Sequence, residues 1–205
     1  MAKKKENLFF RILLVIFVII FGLIVASNTA ISIKTIINYN HNVLAWKEYS
    51  HYGIINDQED FENLYYGFGT VAKNGCGAVS VYNILCMENK NPDFPKIIRE
   101  FDFGGENLFG LGGTNPFRII TVLSKNGFKV QFSINKNKFE SIAKNCKYAI
   151  YLYFGTDNSG IFGHYQLMHN FDGEKFDTIN ITGKYTYQEI TNIQNTFFTM
   201  MIGVN

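Results

Sequence analysis

Cys76 stands between two glycines, in Asn74-Gly75-Cys76-Gly77-Ala78, just before an apolar run with helical spacing. Glycine permits a tight turn and the close approach of another backbone. A thiol at a helix N-terminus feels the positive end of the dipole, which favours the thiolate, and the thiolate is the nucleophilic form. An imidazole beside it would complete the activation. The competing reading is a small buried cysteine without chemistry. That plain structural role is the one expected for Cys86, on the core side of the same helix, and for Cys146, beside a helix end. No CxxC or CxxH spacing occurs, so a zinc site has no support.

Four histidines are candidates for the base. His41 and His51 fall in a segment expected to be solvated, whereas His164 follows the loop 157–163 and opens a strand, with His169 near its other end. Alternation puts His164, Gln166 and Met168 on one face and Tyr165, Leu167 and His169 on the other. Asp172-Gly173 is a turn signal, and Lys175 to Ile181 reads as the returning strand. Pairing centred between Asp172 and Gly173 sets Asn180 opposite Tyr165, beside His164. Asn180 is then placed to orient the His164 ring, as the third member of a nucleophile–base set must. Asp177 and Asp172 are weaker alternatives.

The elements that must carry these residues come in an α+β order, helices first and sheet second. Gln58 to Tyr66 reads as a short helix or lead-in, and Tyr66 to Gly77 as a Gly-punctuated loop. Ala78, Val79, Tyr82, Leu85 and Cys86 recur at helical spacing, so a buried helix is expected just after Cys76. A second helix follows Pro95, over Lys96 to Phe101, and Phe103 to Gly113 is a Gly-rich loop. Thr114-Asn115-Pro116 then opens a helix, with Phe117, Ile120 and Leu123 as its apolar face and Gly127 as its stop. A strand over Phe128 to Ser133 and a helix over Asn135 to Asn145 follow, then strands over Tyr148 to Phe154, His164 to Phe171, Lys175 to Ile181 and Phe197 to Ile202.

Taken together these pieces resemble the papain-like cysteine peptidases, in the branch of the double-glycine leader peptidases and their stand-alone relatives. The likeness rests on Asn74 to Ala78 opening a helix, on Gly112-Gly113-Thr114 and the helix ending in Lys125 to Phe128, and on the strands His164 to Gly173 and Ile179-Asn180. It covers roughly Tyr66 to Ile181. The resemblance implies a papain-like α+β fold with Cys76 as nucleophile, His164 as base and Asn180 as orienter. It implies an acyl-enzyme intermediate, a peptide or protein substrate, and no cofactor or metal. One feature departs from the family. A Gln about six residues before the Cys usually donates to the oxyanion, and Thr70 stands there. Losing one such donor costs on the order of 100- to 1000-fold in rate. Thr70, Asn74 and the Cys76 backbone N–H are the substitutes at hand. The alternatives are an acyltransferase on the same fold, a silent papain-like domain that binds a peptide or protein partner, and a membrane-associated structural protein unrelated to peptidases.

The N-terminus reads as a membrane address. Ile12 to Ala26 carries no charge, and as a helix Leu8 to Ala26 spans roughly 28 Å, close to a hydrocarbon core. Arg11 sits near one end, where its stem can snorkel. A signal-anchor and a cleaved signal peptide both fit, the latter with a small-residue site at Val25-Ala26-Ser27. Either puts the Lys-rich end inside and the rest of the chain outside, tethered in the cell membrane or secreted if cleaved. The expected organisation is an anchor or signal over 1–27, a stem over 28–63 and a papain-like domain over 64–205. The first eleven residues carry +3 of the net +2, which leaves the remainder at −1 and without a basic face for nucleic acid. A chain that is 47% hydrophobic and 18% charged is too apolar for a disordered one. No GxxxxGK[ST] motif occurs, so no ATP-binding cassette accompanies the domain.

Overall fold

The computed structural model describes residues 2–49, 53–102, 113–158, 160–180 and 182–205. His51, Ile181 and the Gly-rich stretch 103–112 lie outside the described residues.

Helix α1 (Ala2–Ala45) is unbroken over 44 residues and joins the apolar segment to the stem. At 1.5 Å per residue it is about 66 Å long, roughly twice the thickness of a hydrocarbon core. The stretch Phe10–Tyr49 is long and apolar enough to cross a membrane, and its most apolar window is not buried against the domain at all.

The last turns of α1 behave differently. Thr35, Asn38 and Asn42 are buried and lie three and four residues apart, on one face. They dock on a hairpin of β1 (Tyr65–Tyr66) and β2 (Gly69–Thr70). Asn42 grips Tyr65 as a neighbouring strand would: its Nδ2 donates to the Tyr65 carbonyl at 2.8 Å and its Oδ1 accepts the Tyr65 N–H at 2.7 Å. Asn38 Nδ2 donates to the Gly67 carbonyl at 3.2 Å and to buried Asp102 at 2.8 Å, and Asp102 accepts the Gly67 N–H at 2.8 Å. His41, expected to be solvated, is held instead. Its ring stacks on Tyr65 at 4.1 Å and its Nε2 meets the Asn63 carbonyl at 2.9 Å. The continuous helix carries it onto the domain, which a stem without periodicity gave no means to foresee.

From the hairpin the chain passes through α2 (Val71–Asn74) into α3 (Cys76–Met87), whose residues Cys76 to Leu85 are all buried. A helix apolar on every side must be wrapped. Helices α4 (Phe94–Asp102) and α5 (Pro116–Lys125) cover it, together with an aromatic cluster of Trp46, Phe61, Tyr82 and Phe94. Asn115 caps α5 by accepting the Phe117 N–H at 2.9 Å, with Pro116 at the first position. The buried face of α5 is Ile119, Val122 and Leu123, and Phe117 is 61% exposed. The expected face of Phe117, Ile120 and Leu123 repeats at three and three, which drifts around a 3.6-residue helix, whereas three and four does not.

The second half is one antiparallel sheet with strand order β3-β8-β4-β5-β6-β7. Its strands are β3 (Val130–Ser133), β4 (Tyr148–Asp157), β5 (Gly160–His169), β6 (Lys175–Ile179), β7 (Gly183–Thr186) and β8 (Thr196–Val204). Helix α6 (Phe139–Asn145) follows β3, and α7 (Tyr187–Thr191) follows β7 on a capping box of Thr186 and Glu189. One sheet face, with Ile150, Leu152, Tyr165, Leu167 and Ile202, packs on α3. The other, with Tyr151, Tyr153, Met168, Phe176 and Met201, packs on α6 and α7 through Phe139, Ile142 and Ile190. The α+β order is the expected one; β7 and α7 are additions to it, and the hairpin β1–β2 stands within the expected lead-in and loop.

Asn42→Ala leaves both backbone groups of Tyr65 without their partner. We expect a loss of about 1–3 kcal/mol in unfolding free energy. Urea titration of the full chain in micelles, followed by fluorescence of Trp46, the sole tryptophan, measures it.

Candidate active site

Two close approaches fix the start of α3. A Cβ on Gly75 would lie 2.6 Å from the Val71 carbonyl oxygen, and one on Gly77 would lie 2.6 Å from Thr114 Cβ. Only glycine fits either place. Thr114 is seated against the first turn of α3 by two tyrosines. Its hydroxyl shares a hydrogen bond of 2.8 Å with the Tyr66 hydroxyl, and its carbonyl accepts the Tyr165 hydroxyl at 2.6 Å. All three residues are buried. The hairpin, the start of α5, strand β5 and the N-terminus of α3 are therefore tied together directly under Cys76.

The thiol of Cys76 is buried, and burial pushes it up to about 11. The peptide N–H groups of Tyr165, Gly77 and Cys76 itself pull it back down, but less strongly. Only a donor stabilises a thiolate, so these three N–H groups are directed at the sulfur. The expected depression by the helix terminus is present and is outweighed by desolvation.

Tyr165 follows His164 on β5, and its peptide group is the meeting point. Strand β6 pairs with β5 only as far as Leu167–Ile179. There the chain turns away through Asn180, whose φ is +78°, a left-handed conformation that Asn tolerates. The register is one residue off the expected one, with His169 opposite Asp177 and Met168 opposite Thr178. The turn holds an extra bond set, since Asp172 Oδ1 accepts the N–H groups of both Glu174 and Lys175. Past Leu167 the side of β5 away from β4 is open. The N–H and C=O of one strand residue point the same way, and at Tyr165 they point into this opening. The N–H faces Cys76 sulfur, and the C=O accepts Asn180 Nδ2 at 3.4 Å.

His164 pairs across from Tyr153 in β4, with the rings 5.8 Å apart. It is the fifth residue of β5 rather than the first, because the β4–β5 ladder runs on to Asp157–Gly160. By alternation its side chain starts on the sheet face of Tyr153 and Gln166, and Cys76 belongs to the cluster on the other face. His164 Nε2 is buried without a hydrogen-bond partner, and so is Asn180 Oδ1. Burial pushes the His164 imidazole down to about 4. No hydrogen bond joins His164 to Cys76 or to Asn180 among the described residues. Cys76 and His164 are thus both neutral near pH 7.

The other candidates lie elsewhere. Asp177 bonds Asn170 at 3.1 Å and pairs with Lys184 at 3.7 Å, beside His169 and about 16 Å along the strand from His164. Asp172 forms the turn. Asn74 points its amide at the β1–β2 hairpin, where a Cβ on Gly69 would touch its Nδ2 at 2.7 Å. Thr70 Oγ1 is buried with no partner. Gln58 donates to the Ala72 carbonyl at 2.8 Å, one turn before Cys76. Cys86 and Cys146 are free thiols; Cys86 contacts the Gly53 carbonyl at 3.6 Å, and Cys146 sulfur accepts from Gln131 at 3.1 Å. Among the described residues no cluster of three His, Cys, Asp or Glu side chains is placed to hold a metal ion.

Sequence reasoning gave Tyr153, Tyr165, Thr114 and Tyr66 no role at the site, although Thr114 was read as part of a helix start and Tyr165 as the residue opposite Asn180. Tyr153 feels the sulfur electrostatically, and burial together with Cys76 lifts its hydroxyl to about 12. Only the place of Tyr165, beside His164 and opposite Asn180, pointed to the site, since tyrosine is common throughout this chain.

No family model matches the chain, and no curated protein does. Among solved structures it is similar to the peptidase domain of Streptococcus ComA, a bi-functional ABC transporter involved in a quorum-sensing pathway. There the identity is 11% and the TM-score 0.43, over 62% of this chain and 90% of that one. It is also similar to the peptidase domain of Streptococcus mutans ComA in complex with a small-molecule inhibitor, at 9% identity and TM-score 0.41, over 69% and 99%. The activity those names carry belongs to those proteins.

The depressed His164 has a sign. Above about pH 6.5 the ring is neutral in both folded and unfolded chains, and its contribution to stability is complete. As pH falls toward about 4 the unfolded chain takes up a proton that the folded one refuses, and stability drops. We expect a loss on the order of 2 kcal/mol between about pH 7 and about pH 4.5. His164→Gln should remove that increment, as read from urea midpoints at the two pH values.

Proposed function

We propose that the chain is a membrane-anchored papain-like thiol hydrolase, acting on a peptide or protein through Cys76, His164 and Asn180. The observation that carries this reading is the pair of buried orphans flanking Tyr165, His164 Nε2 before it in sequence and Asn180 Oδ1, whose amide is held by its carbonyl. A buried polar atom without a partner costs about 1–3 kcal/mol. These two are complementary, since an Nε2–H donates and an amide oxygen accepts. Their pairing satisfies both and leaves Nδ1 as the acceptor for the Cys76 proton. Asn180 is already held by the Tyr165 carbonyl, so its oxygen is an anchored acceptor.

The chemistry then runs as general-base thiol attack. The Cys76 proton passes to His164 as the sulfur bonds to the carbonyl carbon, and the carbonyl oxygen takes the negative charge. N–H groups of the first turn of α3 face that region, which supplies donors where the usual Gln is absent. His164 returns the proton to the leaving amine, and water releases the acyl group from sulfur. The neutral resting pair means that proton transfer accompanies attack instead of preceding it. Helix α1 supports the anchor, with the domain outside the membrane.

The same neutral pair favours a second reading, a silent papain-like domain that binds a peptide. Turnover of a quenched peptide library by the full chain in micelles separates the two. We expect Cys76→Ala and His164→Ala each to lower turnover by about 1000-fold or more. Asn180→Ala should cost about 10- to 100-fold in kcat with little change in KM. Wild-type turnover that survives Cys76→Ala rules out the thiol mechanism, and no turnover with any peptide leaves the binding domain.

A further inference from the structure

Where α1 leaves its apolar stretch, it forms with α4 and α5 a cleft of about 480 Å³. Ser32, Thr35 and Ile36 line it from α1, Lys96, Arg99 and Glu100 from α4, and Arg118 from α5. Three cations therefore face one carboxylate. Each cation is held through part of its group. Arg118 Nε donates to the Glu100 main-chain carbonyl at 2.9 Å, and the Arg99 guanidinium lies 4.8 Å from the Tyr39 ring centroid. Lys96 pairs with Asp93 at 2.9 Å. Among the described residues nothing further binds the terminal guanidinium nitrogens of either arginine, and a planar fork matches phosphate oxygens.

The surroundings of the cleft are as distinctive as its charge. Ile36 is 52% exposed, and Ile33 and Ile37 beside it are 54% and 59% exposed. Between them and the exposed apolar residues Phe10 to Val25 lie Ala26, Thr29 and Ala30 on the same side of α1, and Thr29 turns its hydroxyl back onto the Val25 carbonyl at 2.9 Å. Ser32 lies six residues past Ala26, which is about 9 Å along the helix. A headgroup layer is roughly 5 to 8 Å thick on each side of the hydrocarbon. Fixed cations above an apolar helix face at that height match the two ends of one kind of molecule.

We infer that this cleft binds the phosphate of an anionic phospholipid, held by Arg99, Arg118 and Lys96, with the acyl chains running down the isoleucine face of α1. The inference rests on α1 as a membrane span. It is independent of the Cys76 chemistry, since the cleft shares no residue with that site. A free phosphate offers the same anion but makes no use of the isoleucines.

The test uses the full chain in dodecyl maltoside micelles, titrated with phosphatidylglycerol or phosphatidylcholine of matched acyl chains and read by native mass spectrometry. We expect one phosphatidylglycerol to be retained about tenfold more strongly than phosphatidylcholine. Arg99→Gln and Arg118→Gln should each weaken retention roughly fivefold, and Arg11→Gln, at the far end of the span, should not. Equal retention of the two lipids, or a double Arg99→Gln/Arg118→Gln variant that still selects phosphatidylglycerol, overturns the site. Inorganic phosphate retained as strongly as phosphatidylglycerol overturns the lipid assignment. Alkaline carbonate extraction of native membranes tests the span separately. A chain that resists extraction but does not discriminate the lipids removes the cleft alone. A chain that is extracted yet still selects phosphatidylglycerol removes the span and keeps the cleft.

Discussion

The arrangement around Cys76 depends on one peptide group, that of Tyr165. Antiparallel sheets normally consume every main-chain donor and acceptor of an inner strand. Here β6 stops pairing at Ile179, and the next stretch of β5 keeps a free side. That interruption makes room for a helix terminus and an amide side chain where a strand would have run. The Tyr165 N–H faces the sulfur, and its carbonyl holds Asn180. Its own side chain reaches back to Thr114, which packs on Gly77. One residue thus fixes Cys76, Asn180 and the helix start relative to each other.

Burial sets the electrostatics of this place more than the helix dipole does. Desolvation acts in opposite directions on Cys76 and His164, up for the thiol and down for the imidazole. Both changes favour the uncharged forms, so an ion pair is not the resting state. In the proposed reaction an incoming carbonyl would change that balance by offering a place for the negative charge close to the amide donors of α3.

Much of this was legible in the residues, and what was not has identifiable causes. Glycines on either side of Cys76 marked a crowded helix start, and the crowding by Val71 and Thr114 is there. Asn115-Pro116 marked the start of α5 through a cap that depends on local chemistry alone. The β5–β6 register was misread by one because it depends on how Asp172 folds its own turn, and hairpin arithmetic assumes a symmetric one. The face of α5 was misread because a short amphipathic run fits two phases. The face of His164 relative to Cys76 could not be settled by alternation, since where the strand edge opens depends on the partner strand. The role of the stem was hidden because Asn38 and Asn42 are polar residues buried on main-chain groups of a distant hairpin, and no periodicity announces such partners.

Helix α1 has no hinge between its exposed apolar part and the turns clamped by Asn38 and Asn42. From Ser27 to Asn42 is about 22 Å of rigid rod. With the apolar part in a bilayer, the folded domain is a fixture mounted at set height and set azimuth, unlike a body on a leash. Its encounters are then confined to whatever drifts past at that altitude, a two-dimensional search in which reach, as much as pocket chemistry, decides what is met.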